Sequence, residues 1–151
     1  MEKIEVLKRC PMFRELDEEQ LKIIADMATI EVYEVGESLG KQGRSQEKAF
    51  IIEDGLLGIY LELGPMMHRQ IQAASNFELV CWSAILPPYR MYTTVRAIET
   101  TKVLAFNGRE LAQLCQTHPP IGCKIHRGVA QTIATRLNSA YTQLMGVTAQ
   151  D

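Results

Sequence analysis

Four cysteines and three histidines are the residues whose chemistry the sequence raises first. Cys115-Gln116-Thr117-His118 and Cys123-Lys124-Ile125-His126 repeat a Cys-x-x-His spacing, and two thiolates with two imidazoles could form a tetrahedral metal set. The same four residues also read as two buried thiols and two partly exposed imidazoles, and nothing else in the chain offers a second shell around a metal. A redox or metal sensor through Cys115 and Cys123 is therefore kept only as a lesser alternative. His68 follows Gly64-Pro65 in a polar stretch and leaves too few ligands for a histidine-built barrel site. Ser38, Ser45, Ser75, Ser83 and Ser139 stand in no Gly-x-Ser-x-Gly context, and no Walker or Gly-x-Gly-x-x-Gly loop occurs. No catalytic residue and no metal ligand is assigned, so a non-enzymatic role is expected.

The whole chain has 151 residues, 46% apolar and 23% charged, which suits a single domain, 1–151, with its own core. Its net charge of −2 gives no bulk attraction for a phosphate polymer, so direct DNA binding is not expected. The N-terminus alternates charged and apolar residues without a signal-peptide pattern, and no stretch approaches the roughly 18 apolar residues of a membrane span. A cytoplasmic protein with reduced, unpaired cysteines is expected.

Periodicity divides the chain in three. Ile4, Val6 and Leu7 suit a short helix that ends at Cys10-Pro11, because the residue before a proline leaves the helical region. Asp17 and Gln20 form a capping-box pattern ahead of Leu21, Ile24, Ala25 and Ala28, so helices are expected over about 2–28. From about 29 to 106 β-branched and aromatic runs alternate with glycines, which predicts a sandwich or roll. Its strands are expected at Ile30–Val35, Ala49–Glu53, Leu56–Leu63, Gln70–Ala74, Thr93–Ala97 and Val103–Phe106, with a hairpin around Asp54-Gly55. Helical spacing returns over about 109–146. Beyond Pro119-Pro120, Ile125, Val129, Ile133, Leu137, Ala140 and Leu144 form one narrow stripe, which fits a helix-on-helix seam and a homodimer through the C-terminal helix.

Several motifs in this order resemble the cyclic-nucleotide-binding domain family over residues of about 5 to 145. Val35-Gly36-Glu37-Ser38-Leu39 with Gln42-Gly43 is similar to its early turn and strand. Ala49-Phe50-Ile51-Ile52-Glu53-Asp54-Gly55 is similar to its glycine turn, and Thr94-Val95-Arg96-Ala97 to the strand that closes its pocket. Phe77-Glu78-Leu79-Val80-Cys81-Trp82-Ser83-Ala84 stands where the family carries its phosphate-binding cassette. The implied fold is mainly β with flanking helices: a jelly-roll β-roll with N-terminal helices and a long C-terminal helix. The implied ligand site comprises Glu78, Leu79, Val80, Ser83, Ala84, Arg90, Met91, Tyr92 and Thr93, with Glu78 accepting from a ribose hydroxyl.

This sequence departs from the family pattern in the cassette. Phe77 replaces the usual glycine, the position of the phosphate-binding arginine falls on Met91, the small residue after it is Tyr92, and Arg90 comes one place early. A lost charge-assisted contact costs about 1.5–3 kcal/mol, so binding of cyclic AMP or cyclic GMP does not follow from the resemblance. Arg90 could turn inward to restore the charge or lie in solvent. The expected function is a small-ligand-sensing regulatory domain whose ligand is a cyclic nucleotide or another small anion. Thr132 or Asn138 could reach the pocket from the long helix, and Trp82 could form its wall. The alternative is a ligand-free dimerisation or protein-interaction module, its cassette filled by Phe77, Met91 and Tyr92. The family's transcription factors carry a further DNA-binding domain after the long helix, which the 151 residues do not include.

Overall fold

The computed structural model describes residues 1–149. Helix α1 (Lys3–Arg9) ends where expected, a 3₁₀ turn covers Pro11–Phe13, and α2 spans Glu18–Met27. The capping box at the start of α2 is formed in both directions. The Asp17 carboxylate accepts from the Gln20 N–H at 2.8 Å, and the Asp17 N–H donates to the Gln20 side chain at 3.1 Å.

Eight strands follow: β1 (Thr29–Tyr33), β2 (Ser38–Gly40), β3 (Lys48–Asp54), β4 (Leu57–Gly64), β5 (Met67–Ala74), β6 (Leu79–Val80), β7 (Thr94–Ala97) and β8 (Thr101–Asn107). They form two antiparallel four-stranded sheets, ordered β1-β8-β3-β6 and β2-β7-β4-β5. Helix α3 (Gly108–Thr117) and the 31-residue α4 (Pro119–Ala149) complete the described chain. The architecture is thus the expected β-roll with flanking helices, and Pro119 and Pro120 open α4 where their missing N–H groups cost nothing.

The hairpin expected around Asp54-Gly55 is not a hairpin. Strands β3 and β4 belong to different sheets, so this turn carries the chain from one sheet to the other; the hairpin is β4–β5, closing at Gly64-Pro65-Met66. The reason is the burial of β3 on both faces. Its side chains alternate between two cores: Ala49 and Ile51 meet Phe13, Ile24, Leu111 and Ile125 under the helices, while Phe50 and Ile52 meet Leu57, Val80, Val95 and Val103 between the sheets. As a central strand it pairs with β8 and β6, which leaves no edge for β4. Gly55 makes the crossing possible at φ +143°, with Thr101 lying where a Cβ would project.

Gly108, the first residue of α3, bears directly on the cassette region. A Cβ there would collide with the Ala84 carbonyl, so the absence of a side chain lets α3 press against the turn after β6. Gly108→Ala is expected to lower stability by about 1–3 kcal/mol through this overpacking, measured as a lower urea midpoint at unchanged m-value.

Candidate functional site

The segment after β5 contains three residues in left-handed backbone conformations. Among the described non-glycine residues, Phe77, Cys81 and Tyr89 have positive φ, at 71°, 60° and 61°. Such conformations cost of order 1–3 kcal/mol each and persist where surrounding contacts over-determine them. Here the Phe77 N–H donates to Ile52 O at 2.7 Å, Cys81 O accepts from the Ala84 N–H at 3.1 Å, and Tyr89 O accepts from the Gln46 N–H at 2.8 Å. Cys81 thereby ends β6 and starts the 3₁₀ turn Trp82–Ala84. In such a turn the first N–H groups, those of Trp82 and Ser83, have no partner within the turn itself.

A second backbone arrangement decides the fate of Arg90. The stretch before β7 is zipped against the turn after β2: Met91 N–H donates to Arg44 O at 2.9 Å, Gly43 N–H donates to Met91 O at 2.8 Å, and Ser45 bridges Arg90. In extended chain, neighbouring side chains point to opposite faces. Met91 is buried between the sheets, whereas Arg90 lies outside, its guanidinium donating to Gly43 O at 2.9 Å. The cation that could have swung inward is held outward.

Between the sheets and α4 lies a cavity of about 270 Å³. Ile59, Ile71, Val95 and Leu79 supply aliphatic wall, Met91 stands at the cassette end, and Trp82 and Tyr92 lie with ring centroids 6.3 Å apart. Of the sequence-derived site residues, Leu79, Val80, Ser83, Met91, Tyr92 and Thr93 line this cavity. Glu78, Ala84 and Arg90 lie outside its lining; Ala84 is fully buried against Gly108. Phe77 does not fill it either. Its ring faces the other way, beneath the Arg9 guanidinium, and borders a second, wider cavity of about 680 Å³ between the N-terminal 3₁₀ turn and α4.

The helix residues over the first cavity are Ile133, Arg136 and Leu137. Thr132 instead borders the second cavity, its hydroxyl bonded to Gly128 O at 3.0 Å, and Asn138 lines neither. Ile133 and Leu137 belong to the apolar stripe visible in the sequence, but Arg136 sits one step off it, and only the angle of α4 across the roll turns it inward. Three side-chain hydrogen bonds join this part of α4 to β5. Gln72 donates to Arg136 O at 2.9 Å, Arg136 donates to Ala73 O at 3.3 Å, and Gln143 donates to Ile71 O.

Arg136 borders both cavities and is the one charged side chain among the described residues lining the first. Burial pulls its guanidinium below the ordinary range while Glu78 pushes the other way, and an arginine so placed stays charged at neutral pH. Its ion pair with Glu78 is long, 3.5 Å, and the same Glu78 oxygen accepts from the Ser75 N–H at 3.0 Å.

No protein-family model matches the chain, and no curated protein matches its sequence. Its fold does have counterparts among solved structures. A cyclic nucleotide-binding domain from Methylobacillus flagellatus superposes with a TM-score of 0.82 over 96% of this chain and 82% of that one, at 14% identity. The fold is that of the cyclic nucleotide-binding domain. The catabolite activator protein of Thermus thermophilus shares it at TM-score 0.73 and 19% identity, over 91% of this chain and 63% of that one. The regulatory domain of Toxoplasma gondii PKA, crystallised with cAMP, shares it at TM-score 0.65 and 18% identity, over 72% of this chain and 41% of that one.

Met91 presents a thioether where the family pattern has a guanidinium, Arg90 is turned to Gly43 O, and the Glu78 carboxylate is engaged outside the cavity.

The thiols give no metal set: among the described residues no group of three His, Cys, Asp or Glu side chains could hold an ion. His126 contacts Gly122 O at 2.8 Å through Nδ1 and His118 contacts the Thr117 hydroxyl at 3.0 Å, so each imidazole has a local partner. Burial pushes the Cys10 thiol up to about 11 and raises Cys81 and Cys115 as well, while Cys123 is exposed. Of these four, only Cys123 is expected to react with a thiol-specific reagent at neutral pH in the native protein. Titration before and after denaturation should give one fast equivalent and then four.

Proposed function

We propose that this chain is a non-enzymatic regulatory domain that senses a small ligand in the 270 Å³ cavity and reports its presence through α4. One observation carries the reading: Ile133, Arg136 and Leu137 make α4 part of the cavity wall, so whatever enters must touch the helix. The hydrogen bonds from Gln72 to Arg136 O and from Arg136 to Ala73 O then hold a position that a ligand can stabilise or displace. A ligand with different affinities for two helix positions shifts their populations, and one with equal affinities shifts nothing. The regulatory proteins that share the fold support the same reading. So does the cluster of positive-φ residues around the cassette, where strain accompanies a shaped site. The occupant is a small anion, since the one charge among the described residues lining the cavity is positive.

Leu137 lies at the mouth, half exposed, so Leu137→Trp fills the cavity without touching the core. Native mass spectrometry of freshly purified protein is expected to show a bound small molecule, absent from Leu137→Trp. Absence of any adduct, together with an unchanged melting temperature across cyclic nucleotides and small organic anions, would count against sensing and leave a ligand-free module.

A homodimer through α4 is proposed alongside. Beyond Ile133 the stripe no longer packs on this chain's core, and Leu137, Tyr141 and Met145 are exposed along one side of the helix. Sedimentation is expected to show a dimer that Tyr141→Glu weakens; a monomer at all concentrations would exclude it.

A further inference from the structure

We infer that the ligand of the first cavity is a compact apolar monocarboxylate, seated among aliphatic and aromatic side chains with its carboxylate on Arg136. This rests on the sensing reading above and narrows it.

The wall determines the body of the ligand. Ile59, Ile71, Val95, Ile133 and Leu137 offer no hydrogen bonds, and Met91 adds a polarisable thioether where a charged contact would be needed for a phosphate. The neutral polar side chains in the lining, Ser83, Thr93 and a Gln72 already bonded to Arg136 O, are few, so sugar hydroxyls facing the aliphatic wall would go unpaired at about 1–3 kcal/mol for each buried group. An apolar body gains from the same surface. A dry apolar cavity of about 150 Å³ admits benzene, so about 270 Å³ accommodates a substituted ring or a short chain. The tilted Trp82 and Tyr92 rings give it an aromatic flank.

Arg136 determines the head. A guanidinium has five donors in a planar fork that matches a carboxylate bidentately. Ala73 O at 3.3 Å and Glu78 at 3.5 Å occupy that fork loosely, both beyond the usual 2.7–2.9 Å of charge-assisted bonds. Glu78 is itself held by the Ser75 N–H, so it does not follow the guanidinium closely. A ligand carboxylate in the first cavity therefore competes with Glu78 on favourable terms. The cassette's missing cation is replaced from α4, the element that also forms the lid.

The test uses matched pairs in a thermal-shift assay and by calorimetry: phenylacetate with phenylacetamide, indole-3-acetate with indole-3-acetamide, octanoate with octanamide, and cyclic AMP and cyclic GMP as separate arms. The expected result is that at least one carboxylate binds and its amide binds tenfold or more weakly. Arg136→Gln should bring the carboxylate down to the amide's affinity, and Leu137→Trp, which leaves Arg136 in place, should abolish both. The unliganded melting curve and circular dichroism of each variant establish that it is folded. Equal binding of acid and amide, or carboxylate binding unchanged by Arg136→Gln, overturns the carboxylate assignment while the sensing reading stands. Binding of a cyclic nucleotide but of none of the acids does the same. Failure of every arm, with no adduct in native mass spectrometry, overturns both.

Discussion

Helix α4 lies along the outer edge of β5, and the rest of the site depends on that contact. A sheet edge exposes main-chain groups that need partners. Here side chains of Arg136 and Gln143 satisfy the carbonyls of Ala73 and Ile71, while Gln72 reaches back to a helix carbonyl. None of these bonds is apolar burial, so each can exchange for water at a net cost of about 0.5–1.5 kcal/mol for the two glutamine amides and about 1.5–3 kcal/mol for the guanidinium. The first turns of α4 are different. Ile125 and Val129 are buried among Phe13, Ile24 and Leu111, and Gly128 has the backbone of Met12 where a Cβ would project, so that end is fixed. One helix is thus anchored by packing at its start and held by exchangeable hydrogen bonds over the cavity, which lets its far end move without unfolding its base.

The cassette supplies the fixed half. Phe77, Cys81 and Tyr89 hold left-handed backbone because Ile52, Ala84 and Gln46 bond their main chains, and Gly108 lets α3 back onto the same turn. The zipper between residues 43–45 and 90–91 then assigns one face to Met91 and the other to Arg90. A single-residue difference in register separates a guanidinium in the cavity from one outside it, and with a side-chain period of two no intermediate arrangement is available.

Much of this was legible in the sequence. The capping box, the proline-bounded helices and the glycine-punctuated strands follow from local chemistry, and local chemistry decides them in the structure too. The turn at Asp54-Gly55 misled because a glycine turn between two apolar strands looks alike whether the strands pair or cross between sheets. The continuous apolar run Ala49–Ile52 was the mark of a strand buried on both faces, and such a strand is central rather than one arm of an isolated hairpin. Six of the nine residues named for the site line the cavity, because the cassette's position along the chain carries its geometry. Arg136 was not legible. Its place among polar helix residues says surface, and only the placement of α4 beside β5, a long-range feature, brings it to the cavities between helix and roll.

Placing the charged contact on α4 instead of on the cassette changes what binding does. With the cation in the rigid roll, a ligand's electrostatic energy would be gained whether or not the helix moved, and only secondary contacts could couple the two. With Arg136 on the helix, ligand and helix position share one interaction, so that energy enters directly as differential affinity between helix states. Glu78 sets the sign. Arg136 borders both cavities while Glu78 borders only the second, so a ligand that draws the guanidinium further into the first must lengthen an ion pair already 3.5 Å apart. A pair of that length, with Glu78 half exposed, contributes little, so the helix can be rebalanced by a ligand of modest affinity. A strong, buried pair would have locked α4; a weak one leaves it responsive.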